Sequence, residues 1–114
     1  MLTVKSVLSF VKQAVPSIIS AVQGDNGRSI LFTSSDFSIP TGAVAEYHIR
    51  HPAAGTTSGV ATITEGKILV NLTAEDTADP GDSYGQVRIT ADSQSVTSFD
   101  FILAVDEFRG ASAT

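Results

Sequence analysis

Cysteine and tryptophan are absent from this 114-residue chain, and basic residues are few. Without cysteine there are no disulfides, thiolate zinc sites, iron–sulfur clusters or cysteine nucleophiles. The absence says nothing about compartment. Seven Lys+Arg against twelve Asp+Glu leave a net charge of −5. That balance argues against nucleic acid or an anionic membrane as the main partner, because phosphate binding needs a basic face. No apolar run reaches the ~20 residues that span a bilayer. Near the N-terminus Lys5 and Lys12 interrupt the Leu, Val and Ile residues, and Pro16 breaks them. Neither an export signal nor a membrane anchor is read there.

What remains suits one globular domain: 42% of residues are hydrophobic and 17% charged. Val4, Val7, Leu8, Val11 and Val15 fall at helical spacing, with Thr3 placed to cap a start and Pro16 an end. This predicts a short amphipathic helix in residues 1–16, which either covers one edge or end of its own domain, the preferred reading of the stripe, or serves as a docking segment whose candidate interface residues are Val7, Leu8, Phe10 and Val11.

From Ser17 the period shortens to two. Strands are expected at 18–23, 28–33, 43–50, 60–64, 67–72, 84–90 and 96–105. Gly24-Asp25-Asn26-Gly27 and Glu65-Gly66 read as hairpin turns, and Thr73-Ala74-Glu75-Asp76 has capping-box spacing before one helical turn. About seven short strands with regular turn signals predict an all-β fold, an immunoglobulin-like antiparallel β-sandwich over residues 17–109. Residues 110–114, small and polar, form a flexible tail.

Chemistry is sparse. His48 and His51 are the two histidines; with Glu46 they would make an incomplete metal set, and solvated polar side chains are the preferred reading. Glu75, Asp76, Asp79 and Asp82 could offer oxygens to calcium but lack EF-hand spacing, so the ordinary reading is capping and solubility. Tyr84, after Asp79-Pro80-Gly81, is expected to form a tyrosine corner. Asn71-Leu72-Thr73 has the form of a glycosylation acceptor but is discounted at a strand end. No catalytic, cofactor-binding or metal site is assigned, and the chain is not expected to be an enzyme. Of eight aromatics, Phe32, Tyr47, Phe99 and Phe101 are assigned to the core, leaving Phe37 and Phe108 as thin candidates for stacking a sugar.

An ordered set of landmarks resembles a known family. It runs from Gln23-Gly24-Asp25-Asn26-Gly27-Arg28 through Ile39-Pro40-x-Gly42-Ala43-x-Ala45-Glu46-Tyr47 and His48-Ile49-Arg50-His51-Pro52. It continues with Ala61-x-Ile63-x-x-Gly66-x-Ile68-x-Val70-x-Leu72-Thr73, Gly85-Gln86-Val87-Arg88-Ile89 and Thr97-Ser98-Phe99-x-Phe101-x-Leu103-x-Val105. The series looks like the N-terminal domain of the baseplate upper protein family of phages and prophages infecting Gram-positive bacteria. That resemblance implies a virion protein made in the bacterial cytoplasm. It would assemble with other virion proteins, favour a homotrimer, and help anchor or present receptor-binding parts, with no cofactor. Alternatives are a capsid-decoration or head-fibre protein, and a host-surface carbohydrate-binding module.

Overall fold

The computed structural model describes residues 2–11, 15–53 and 55–109. The expected flexible tail, and Lys12 on the polar side of the expected helix, lie outside them. Among the described residues there are nine strands and no helix. They are β1 (Leu2–Val7), β2 (Ile18–Val22), β3 (Arg28–Thr33), β4 (Val44–Arg50), β5 (Thr56–Thr64), β6 (Lys67–Asn71), β7 (Gly81–Ala91), β8 (Gln94–Thr97) and β9 (Phe101–Asp106).

The N-terminal helix is therefore corrected to a strand. β1 pairs in parallel with β3, from Leu2 opposite Arg28 to Val7 opposite Thr33. Branched valines are stiff at χ1 and suit a pleated surface better than a helix. The helical spacing was coincidental: Leu8 is buried while Val7 and Val11 are exposed.

The two-sheet sandwich is corrected as well. The strands run β1-β3-β6-β5-β4-β7-β9-β2 in one hydrogen-bonded order, with β8 also on β7. β5 joins what would otherwise be separate layers: Thr56–Ala61 pair with β4, and Thr62–Thr64 pair with β6. The result is a nearly closed, barrel-like sheet whose two end strands, β1 and β2, are consecutive in sequence. The chain itself links those ends. Leu8 N–H donates to Thr33 O at 2.8 Å, and the next residue's carbonyl, Ser9 O, accepts from Phe99 N–H at 2.9 Å. β2 then pairs in parallel with β9.

Alternation fills the interior as expected for a sheet with one wet face. Ile30 and Phe32, Tyr47 and Ile49, Ile68 and Val70, Val87 and Ile89, and Phe101 and Leu103 point inward and are buried. The rings of Phe32 and Phe101 meet at the centre, 4.9 Å between centroids. Residues 24–27 do not close a hairpin, since β2 and β3 are not paired. They dock instead on the 73–79 connection, through Gly24 N–H to Thr77 O and Thr77 Oγ1–H to Asp25 O. Glu65-Gly66 and Asp92-Ser93 do make tight hairpin turns, each with positive φ at both positions (50° and 74°; 50° and 65°).

Where β7 passes from β8 to β9 the register slips by one residue: Arg88 faces Thr97, but Gly85 faces Phe101. Three residues, 98–100, thus oppose two, which is a β-bulge. Ser98 repairs the ladder there. Its N–H donates to Val87 O at 2.8 Å, and its Oγ accepts from Val87 N–H at 2.9 Å.

Candidate functional site

The four expected interface residues occupy the seam where the two end strands approach, and they divide by burial. Leu8 and Phe10 face the interior, at 2% and 7% exposure. Phe10 packs on Phe37 with ring centroids 4.9 Å apart. Val7 and Val11 face solvent. Asp36 holds the backbone at this point: its Oδ1 accepts from Phe10 N–H at 3.1 Å and its Oδ2 from Val11 N–H at 3.3 Å.

Across the seam Ser17 Oγ–H donates to Val7 O at 3.1 Å, which holds the start of β2 to the end of β1. Val7, Val11, Val15 and Ile18 are all exposed. They lie at the end of β1, in the connection that follows it and at the start of β2, the two end strands of the sheet. Sequence reading found Val7 and Val11 but missed Ile18, because a strand's outward apolar residue cannot be told from an inward one until its pairing is known.

The polar residues read as possible ligands are not brought together. His48 and Glu46 share the outer face of β4, with Nε2 to Oε1 at 3.5 Å. His51 is buried, contrary to the expectation of a solvated side chain. Its Nδ1 lies 3.1 Å from Ser83 Oγ and its Nε2 lies 2.8 Å from Thr57 Oγ1. The imidazole thus ties β5 to β7 at the end of β4. Ser83 is wholly buried, so this hydroxyl–imidazole pair serves as an internal strut. Glu75 and Asp82 are exposed while Asp76 is buried. Among the described residues, no group of three or more His, Cys, Asp or Glu side chains could hold a metal ion.

Asp76 instead anchors the 73–79 connection. Its Oδ2 accepts from Thr73 N–H at 2.9 Å, while Thr73 Oγ1 accepts from Asp76 N–H at 3.3 Å, the reciprocal pair of a capping box. The helical turn expected there is a hydrogen-bonded turn, with Asp76 N–H to Thr73 O at 3.1 Å and Ala78 N–H to Glu75 O at 3.3 Å. A tyrosine also reaches this carboxylate, but it is Tyr47, whose hydroxyl donates to Asp76 Oδ2 at 2.8 Å. Tyr84, assigned that role from sequence, is half exposed on the outer face. Burial, then the hydrogen bond to Asp76, raises the Tyr47 hydroxyl above the ordinary phenol range. At the same end, hydrogen bonds from Arg28 and then from Val22 N–H hold the Asp25 carboxyl below its usual value of 3.8. No helix among the described residues is long and apolar enough to cross a membrane.

No protein-family model matches the chain, and no curated protein matches it. A solved structure does. The chain is similar to the N-terminal domain of phage TP901-1 ORF48, with a TM-score of 0.68 and 12% identity, over 93% of this chain and 99% of that one. The shared fold is that of a phage protein domain. It extends over nearly the whole of both chains.

Proposed function

We propose that this chain is a structural component of a phage virion, of the baseplate or tail-appendage adaptor type. It assembles with other virion proteins, anchors or presents receptor-binding parts, and works without catalysis or a cofactor. The observation that carries this reading is the fold shared with the phage TP901-1 ORF48 domain over nearly the full length of both. The landmark series read from the sequence points the same way. The exposed apolar seam gives the adaptor a surface to bury, with Val7 and Val11 as contact residues and Leu8 and Phe10 supporting them from inside. An apolar strip rimmed by polar side chains is how symmetric assemblies combine affinity with register. The proposed assembly includes a homotrimer, made in the bacterial cytoplasm and carried into the particle.

Immuno-electron microscopy with an epitope tag on this chain tests the reading. Label at a fixed position on phage particles supports it. Label absent from intact particles contradicts it.

A further inference from the structure

The outer face of the sheet carries a second feature that the assembly role does not use. Arg50, Tyr84, Gln86 and Asp100 line a groove of about 270 Å³ on the strands β4 and β7 and the bulge that follows β8. Arg50 lies directly opposite Tyr84 in the β4–β7 ladder. Asp100 reaches the groove because the bulge adds a residue there; bulges commonly re-aim side chains beside binding sites. Gln86 is fixed over the bulge by its Nε2–H donating to Ser98 O at 3.2 Å, which leaves its amide oxygen free of that bond.

We infer that this groove is a binding site for a neutral saccharide unit. The lining supplies what such a ligand needs. Tyr84 is exposed on an outer sheet face, where apolar burial does not explain an aromatic. It offers a flat apolar ring with a polar tip, suited to the C–H face of a pyranose. Arg50 and Asp100 stand on one groove without an ion pair between them, since the salt bridges of the described residues lie elsewhere. A guanidinium fork and a carboxylate are the donor and acceptor pairs that bracket vicinal hydroxyls. Their charges offset, so the groove has no net attraction for a phosphate or carboxylate and suits an uncharged polyol. The volume lies just below the range of drug-sized pockets, which matches one ring of a longer chain.

Titration of the full ¹⁵N-labelled chain with chitotriose and, separately, maltotriose tests the site, with inorganic phosphate as the charged comparison. The chain has two tyrosines and no tryptophan, so intrinsic fluorescence reports on Tyr84 against a buried Tyr47. The expected result is saturable amide shifts at 50, 84–86 and 98–100 with at least one trisaccharide, at a Kd of about 1 mM. Binding should weaken at least tenfold in Tyr84→Ala and in Asp100→Asn, and stay unchanged in Phe108→Ala. Because Tyr84 and Asp100 face outward, both variants should retain the dispersed spectrum of the parent. Absence of saturable shifts with both sugars overturns the inference. So does the same shift pattern with phosphate alone, or a binding-site map centred away from the groove.

Discussion

The ring of Phe101 lies over Gly85, its directly opposite neighbour in the β7–β9 ladder, so closely that a Cβ at position 85 would collide with it. The same device recurs one strand pair away. Gly59 faces Tyr47 across β5 and β4, and a Cβ there would come within 2.8 Å of the tyrosine ring. In both cases the absent side chain makes room for an aromatic that fills the interior.

Gly85→Ala is therefore expected to destabilise the domain by about 1–3 kcal/mol, the usual cost of overpacking. Phe101 is fully buried against Phe32 and has no free direction in which to move. Gly27→Ala is the control, because its added Cβ meets nothing within 4 Å; it should stay within about 0.5 kcal/mol of the parent. Urea midpoints of the three proteins decide this. Equal losses in both variants would contradict the account.

Tyr47 should make the fold sensitive to alkali. Its raised pKa stabilises the folded state fully below the unfolded tyrosine value of about 10. That contribution is lost as pH rises through the folded value. Tyr47→Phe removes the ionisable group and one of the donors to Asp76 Oδ2, leaving those from Thr73. It should cost about 1–2 kcal/mol at neutral pH and flatten the decline above about pH 10. Thermal melts across that range read both effects.

Asp25 gives the opposite sign. Its lowered pKa contributes stability above the usual aspartate value of 3.8, and that contribution is lost as pH falls through the folded value. Asp25→Asn should flatten the acid limb of the stability profile while leaving the alkaline limb unchanged. Urea unfolding at a series of pH values below neutrality provides the test.

Leu8 and Val7 are adjacent but should respond differently. Leu8→Ala opens a cavity in the core and is expected to cost about 2–5 kcal/mol. Val7→Lys, on the solvent side, should change stability by no more than about 0.5 kcal/mol while reducing self-association in sedimentation velocity. If Val7→Lys leaves the oligomer intact, the seam is not its contact surface.

These residues also show what could be read from the chain alone. Strands with clean alternation and tight turns were legible: β3 runs from Arg28 to Thr33 as the period indicated, and the Glu65-Gly66 turn joins β5 to β6. Pairing was not legible. Nothing local in Thr56–Thr64 reveals that β5 hydrogen-bonds β4 along one half and β6 along the other, and that sharing replaces the sandwich by one continuous sheet. β1 was misread because five apolar residues happened to fall at helical spacing, although the valines favour extended backbone. The bulge hid another parity change. Ser98 takes the buried place where strict alternation would put a neighbour, and Phe99 is half-buried. Tyr47 is in the core as its alternation indicates, but that its hydroxyl, and not that of Tyr84, reaches the 73–79 connection depends on strand order rather than on nearby turn residues. At the seam, Val7 and Val11 could be named from sequence, but which residues of the segment face inward depends on the pairing of β1 with β3, which is not local.

The proposed virion role is tested most directly by quantitative mass spectrometry of purified phage particles, with the copy number of this chain measured against the major capsid protein. The account predicts a fixed ratio corresponding to tens of copies per particle, as a tail-tip or appendage component requires. Abundant chain in the lysate with none in the particles would contradict it.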